Sequence, residues 1–281
     1  MPRGIAARVG VRIPGMVNSD IDQLMRRASD ELARMDYLAC ERTCRQALAA
    51  ARLEGNFEDY ARILLPLQEA RRQRRLTAAE GVIRLGSTSL EGEPPQWLAT
   101  LGAGCIMLSH PHGAEHARAL LALARERQLH LEVLWVDSPA DDDRWTVRSF
   151  DGPDVRCEVD APPRTWRDRW LKPGEVLGGQ GEVELDPSGW FLAASESLGD
   201  TALEHGKAAR DLPTRLARLE ACLQVVTDHE LLHQALAETA RRAARQLRSA
   251  PNPSRQDEPL GGRAAPEADR LRSRTHPKTE C

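Results

Sequence analysis

The segment His229-Glu230-Leu231-Leu232-His233 places two histidines and a glutamate within five residues. On a helix, side chains four positions apart share a face, so the imidazoles of His229 and His233 could bind one Zn²⁺ ion. Glu230 would then activate a zinc-bound water as a general base. A zinc-dependent hydrolase is therefore one hypothesis for this chain.

The same five residues resemble the H-E-x-x-H motif of zinc metallopeptidases, and the flanking Val226, Thr227 and Gln234 also fit its extended form. The resemblance implies a third protein ligand further along the chain. The segment after His233 continues as the same helix and then as a polar tail, and the x-x-Gly-x-x-His continuation of one such family is absent. The sequence therefore departs from the motif where the third ligand is needed.

The alternative interpretation of the segment is structural. Thr227 and Glu230 have the spacing of a capping box, which predicts a helix that begins at Thr227 and explains the glutamate without chemistry. His229 and His233 continue an apolar stripe with Leu236, as packing histidines do. This interpretation assigns no catalytic residue, metal ligand or cofactor.

A second candidate site lies at Ser109, His110, His112 and Gly113, between a predicted strand and a predicted helix. Open α/β sheets place ligands at such junctions, and a helix N-terminus favours anions. The alternative is a loop that caps the helix, since a single glycine does not make a phosphate cradle.

Composition narrows the class of protein. The net charge of −3 and the pI of about 6.3 give no basic footprint for nucleic acid. No apolar run approaches the roughly 18 residues that a membrane span needs. Six scattered cysteines in a chain of 281 residues favour reduced thiols over a disulfide framework. These observations predict a cytoplasmic protein that binds neither nucleic acid nor membrane.

Apolar periodicity predicts three helices between residues 19 and 76, with breaks near residue 36 and at Gly55 and with Asn56 as a cap. A β-α-β unit should follow over residues 104–137, and then a hairpin that turns at Asp151-Gly152. Helices should return from residue 163, the first carrying Trp166 and Trp170 one turn apart. The arginines at 71, 72, 74 and 75 are interpreted as a solvated helix end.

The first helices resemble tetratricopeptide repeats over about 55 residues. The matching packing positions are Ala28, Leu32, Tyr37, Cys40, Ala47, Leu48, Phe57, Tyr60 and Ala61. Met35 stands where the family usually has glycine before the turn. The resemblance implies a helical surface that binds a peptide or a helix of a partner, and one repeat with part of another needs support from the rest of the chain or from a partner.

The predicted fold is mixed α and β and helix-rich. It comprises a tetratricopeptide-like helical segment (17–80), a small α/β domain (81–162), a helical C-terminal part (163–249) and a disordered tail (250–281). The predicted function is an interaction or scaffold protein without catalytic activity that binds another protein or peptide. The zinc hydrolase remains the alternative, and a small anionic ligand at residues 109–113 is a third hypothesis.

Overall fold

Eight helices and one mixed sheet make up the residues that the computed structural model describes, which are 18–86, 94–109, 112–137, 143–172 and 186–249. This arrangement confirms the mixed, helix-rich fold class. None of the helices in these ranges is long and apolar enough to cross a membrane.

Three helices open the described chain: α1 (Asn18–Ala33), α2 (Tyr37–Glu54) and α3 (Phe57–Ala79). The carboxylate of Asp36 caps α2 by accepting from the Ala39 N–H at 3.1 Å. Gly55 ends α2 in the left-handed region, with φ of 67°, and the Asn56 side chain caps α3. The predicted breaks are therefore confirmed, because each contains a residue that satisfies exposed helix-end groups.

Met35 also adopts a left-handed backbone, with φ of 60°, in the turn between α1 and α2. In the predicted resemblance to tetratricopeptide repeats, which stays a prediction, Met35 stands where that family usually has glycine. A side chain with a Cβ is strained in this region, so Met35 makes the turn at a cost that glycine would avoid.

The sheet has six strands: β1 (Val82–Arg84), β2 (Gly104–Ser109), β3 (Leu131–Val136), β4 (Arg144–Arg148), β5 (Arg156–Asp160) and β6 (Trp170–Leu171). Their order across the sheet is β5-β4-β3-β2-β1-β6. The first three are parallel and are joined through α4 (Pro94–Leu101) and α5 (Ala114–Glu126). The β-α-β unit and the β4–β5 hairpin, with Gly152 at φ of 74°, are confirmed.

The helix predicted around Trp166 and Trp170 is wrong. A single 3₁₀ turn covers Arg164–Trp166, and Trp170 lies in β6, which pairs antiparallel with β1. Between them Asp168 has φ of 58°, which ends any helix. Trp166 is buried, whereas Trp170 is 43% exposed and lies against the guanidinium of Arg84.

Three helices complete the fold: α6 (Pro187–Lys207), α7 (Leu212–Cys222) and α8 (Glu230–Ser249). The largest hydrophobic core joins side chains of α1–α3 and α6–α8 with one face of the sheet, and a second core lies between α4, α5 and the other face. The domain boundaries drawn from the sequence stay a prediction, and the tail at 250–281 lies outside the described residues.

The cysteines within the described ranges are free thiols, and four of these five are buried. The closest pair, Cys40 and Cys44, lie 4.0 Å apart between sulfurs on adjacent turns of α2. The described thiols therefore act as small apolar packing groups.

Candidate functional site

His229 is the residue that precedes α8, and its ring makes the contacts of a helix cap. Its Nδ1 accepts the main-chain N–H of Leu232 at 3.3 Å, so the ring proton lies on Nε2. That Nε2 lies 3.2 Å from Oδ1 of Asp200 and 3.3 Å from Oε2 of Glu196, both on α6. The imidazole therefore connects the start of α8 to α6.

Gly199 of α6 makes this contact possible. A Cβ at this position would lie 2.2 Å from Cδ2 of His229, far inside van der Waals contact. The absence of a side chain at Gly199 thus allows the ring to pack directly on the α6 backbone.

The helix begins at Glu230, not at Thr227 as the capping-box pattern predicts. Glu230 is exposed, and its carboxylate accepts from the side-chain amide of Gln234 at 2.8 Å. The main-chain carbonyl of Thr227 instead accepts from Nη1 of Arg71 at 2.9 Å. The cap predicted at Thr227 is therefore corrected to one at His229.

His233 lies one turn further along, buried with 1% of its surface exposed. Its Nδ1 lies 3.1 Å from the main-chain oxygen of His229, and because a carbonyl only accepts, Nδ1 carries the proton. Its Nε2 is a buried acceptor with no hydrogen-bond partner among the described residues. Burial, together with the nearby charge of Arg71, lowers the pKa of His233 to about 3.

The two imidazoles therefore present their remaining nitrogens to different surroundings. The Nε2 of His229 contacts the carboxylates of α6, whereas His233 lines a groove between α1, α3 and α8. Within the described ranges, no group of three or more His, Cys, Asp or Glu residues is placed to hold a metal ion. In this arrangement both rings contribute to the capping and packing of α8, and the zinc hypothesis stays untested.

The arginines interpreted as a solvated helix end are mostly interior, so that interpretation is wrong. Arg71, Arg74 and Arg75 are each no more than 6% exposed. Arg71 and Arg74 both bind the carboxylate of Glu41 on α2. Although burial alone would raise the pKa of Glu41, these two positive charges lower it to about 2.

Arg75 joins three further parts of the chain. Its Nη1 donates to Glu196 at 2.6 Å and to Asp228 at 2.9 Å, and its Nη2 donates to the Leu192 carbonyl. A buried salt-bridge network thus holds α2, α3, α6 and the loop before α8 together. In the sequence, the spacing of positions 71, 74 and 75 is the one local indication of this network, because it places all three arginines on one helix face.

The segment from Ser109 to Gly113 is only partly described, since His110 lies outside the described residues. Ser109 is buried, with no hydrogen-bond partner for its hydroxyl among the described residues. The N–H of Gly113 donates to Nδ1 of His116 at 3.3 Å, and the His112 ring packs edge-on against Trp97 and His116. The Gly113 N–H thus has a partner within the protein, and the anionic-ligand hypothesis stays a prediction.

A groove of about 710 Å³ runs between α1, α3 and α8 on the outside of the helical half. Its main lining residues are Met25, Leu32, Leu64, Leu65, Ala237 and Arg241, and we name it the apolar groove. Leu64 and His233 are buried at its base, whereas Leu65 is 73% exposed. Sequence reasoning missed this groove because three helices distant along the chain form it.

Comparison with models of known protein families, with curated proteins and with solved structures found no match. The geometry of the apolar groove and of the segment at the start of α8 is therefore the basis for any assignment of function.

Proposed function

We propose that the protein is a non-catalytic interaction or scaffold protein and that the apolar groove binds apolar side chains of a partner protein or peptide. The observation that carries the proposal is a groove of about 710 Å³ in which Leu65, 73% exposed, shares the lining with Met25 and Leu32. Grooves of several hundred Å³ have the size of ligand sites, and a concave apolar surface, unlike a single exposed leucine, is typical of an interaction site.

The groove has the layout of a protein interface. Apolar residues from α1, α3 and α8 form its centre, and the polar side chains of Arg62, Gln68 and Arg241 lie on its lining. A partner helix with apolar residues at positions i, i+3 and i+7 would place one face in such a groove. The tetratricopeptide-like resemblance of α1–α3 is part of this proposal, since such helices typically present a surface to a partner.

The cellular location is also a proposal. We place the protein in the cytoplasm because its described cysteines are free thiols, which a reducing compartment preserves. Its partner is a protein or peptide rather than nucleic acid or membrane, because the chain carries a net charge of −3.

The zinc hydrolase is the less supported alternative. It requires His229 and His233 to turn toward one ion, with Glu230 beside it. Zinc binding through Nε2 of His229 would move the ring proton to Nδ1 and break the cap to Leu232. That cap would have to be replaced before the segment could bind zinc, whereas the Nδ1–H of His233 can keep its bond to the His229 carbonyl.

Site-specific photocrosslinking tests the interaction proposal. A photoreactive phenylalanine derivative replaces Leu65 in the groove or, as the control, Leu53 on α2, which is 83% exposed and does not line the groove. In the cells that make the protein, we expect discrete protein adducts from position 65 that position 53 does not give. The same adducts from both positions, or none from position 65, would contradict the proposal.

A further inference from the structure

A second groove, of about 660 Å³, lies beside α8 on the side of α7. Four of the eight residues that line it are arginines: Arg210, Arg215, Arg242 and Arg245. Asp211 is the one acidic residue of that lining. We name this surface the arginine groove.

Several of these charges are fixed in place. The guanidinium of Arg215 donates twice to the Ala209 carbonyl, at 3.0 and 2.8 Å, and is held across the loop before α7. The carboxylate of Asp211 accepts from the Thr214 N–H at 2.9 Å and caps α7, so it is engaged with the helix end. The N-terminus of α7 also lies at this groove, where Asp211 caps it. Arg242 pairs with Glu238 one turn earlier on α8, so two carboxylates oppose the four arginines and the surface keeps an excess of positive charge.

Helix α8 contributes to both grooves. Ala237 and Arg241 line the apolar groove, and Arg242 and Arg245 line the arginine groove. Arg245 lies eight residues beyond Ala237, a rise of about 12 Å along the helix, which is a distance that about four extended residues span. A single short segment could therefore contact both grooves by crossing α8.

We propose that the partner segment is acidic, with apolar residues in the apolar groove and Asp or Glu side chains in the arginine groove. This inference rests on the proposed function and names the chemistry of the partner. Arginine guanidinium groups bind carboxylates in paired hydrogen bonds, which gives both attraction and geometry. A nucleic acid would leave the adjacent apolar groove unfilled, and the net charge of −3 would oppose its approach.

Selection from a displayed library of random peptides on the full chain provides the probe. We expect enriched peptides to combine two or more large apolar residues with several Asp or Glu residues. Their affinity is then measured by fluorescence anisotropy for the wild type and for three variants. These are Leu65→Lys in the apolar groove, Arg242→Glu/Arg245→Glu in the arginine groove, and Arg156→Glu/Arg169→Glu as the control on the sheet side.

We expect the charge reversal at Arg242 and Arg245 to weaken binding of the selected peptides by about tenfold or more, equivalent to ~1.4 kcal/mol. The charge reversal at the exposed Arg156 and Arg169 changes the total charge of the chain by the same amount and should have little effect on peptide binding. Replacing the acidic residues of a selected peptide by lysine should restore its binding to the Arg242→Glu/Arg245→Glu variant. This charge exchange separates an electrostatic role from a loss of structure, and far-UV circular dichroism checks that each variant is folded.

The outcomes distinguish this inference from the proposed function. Neutral or basic peptides whose binding depends on Leu65 but not on Arg242 and Arg245 would overturn the acidic-partner inference and leave the apolar groove as a binding site. An absence of any enriched peptide whose binding depends on Leu65 would overturn both. The inference would also be overturned if a duplex DNA or RNA oligonucleotide bound more tightly than any selected peptide and lost that binding in the Arg242→Glu/Arg245→Glu variant.

Discussion

The Nδ1–H of His233 donates to the main-chain carbonyl of His229, 3.1 Å away. In the same turn the Nδ1 of His229 accepts the Leu232 N–H. The start of α8 thus uses two of the four imidazole nitrogens, and α6 carboxylates contact a third. A sequence motif associated with zinc here provides a capped and buried helix start.

The zinc content of the purified, untagged chain tests this assignment. Because no third His, Cys, Asp or Glu of the described residues joins these imidazoles in a metal-binding cluster, we expect elemental mass spectrometry to find no stoichiometric zinc, both in the wild type and in His233→Ala. A chelator should leave the thermal unfolding temperature unchanged. About one zinc per chain in the wild type, lost in His233→Ala, would establish the metal site instead.

The stability of the fold should depend on pH through His233. Burial and Arg71 lower its folded-state pKa to about 3, whereas the unfolded value is about 6.5. The unfolded chain therefore binds the proton more readily, and the free energy of unfolding falls as pH drops from about 6.5 toward 3. The full effect is on the order of 3–5 kcal/mol. Urea unfolding at several pH values in this window measures it.

Other groups titrate in the same window, so the His233 contribution is isolated by comparison. In His233→Gln the amide can still donate to the His229 carbonyl but does not titrate, and this variant should lose less stability on acidification than the wild type. His205→Gln, which changes an exposed histidine of α6, is the control and should follow the wild-type curve. Parallel curves for the wild type and His233→Gln would show that His233 does not titrate as expected.

Removing the Glu41 carboxylate should strongly destabilise the protein. Glu41→Gln leaves the buried charges of Arg71 and Arg74 without their anion, which costs about 3–5 kcal/mol in comparable pairs. Denaturant titration measures the change in the free energy of unfolding. Glu204→Gln, which disrupts an exposed pair with Lys207, is the matched control and should cost at most about 1 kcal/mol. Equal losses in the two variants would contradict the importance of the buried network.

Met35→Gly should stabilise the protein by about 0.5–1 kcal/mol, because glycine adopts the left-handed backbone at φ of 60° without strain. The Met35 side chain is 70% exposed, so little packing is lost. Ala49→Gly, at an exposed position inside α2, should destabilise by about the same amount. Thermal unfolding measures both, and a lower unfolding temperature for Met35→Gly would contradict the strain assigned to this turn.

Local patterns predicted much of the fold. Gly55 and Asn56 mark a helix boundary by their own backbone and side-chain chemistry, and Asp151-Gly152 marks a hairpin in the same way. The strand at Trp170 was not predicted, because its pairing with Arg84 joins residues far apart in the chain. The spacing of Trp166 and Trp170 matched a helical turn, and the left-handed Asp168 between them gave no local signal.

The candidate site could likewise be predicted only in part from local sequence patterns. The sequence singled out His229 and His233, but it did not indicate the α6 carboxylates that contact His229. Arg71 and Arg75 were predicted to be solvated because Glu41 and Asp228, which neutralise them, lie 30 and 153 residues away in the chain. Pairings of this kind follow from how the helices pack, and periodicity within a single helix does not determine them.

The most direct test of the account compares the affinity of the crosslinked partner for Leu65→Lys and for Leu53→Lys. Both changes introduce one lysine at an exposed leucine of the helical half, but only Leu65 lines the apolar groove. We expect Leu65→Lys to weaken partner binding by about tenfold or more, or ~1.4 kcal/mol. Leu53→Lys should bind like the wild type, and both variants should unfold at the wild-type temperature. Equal affinities for the two variants would show that the apolar groove is not the binding surface.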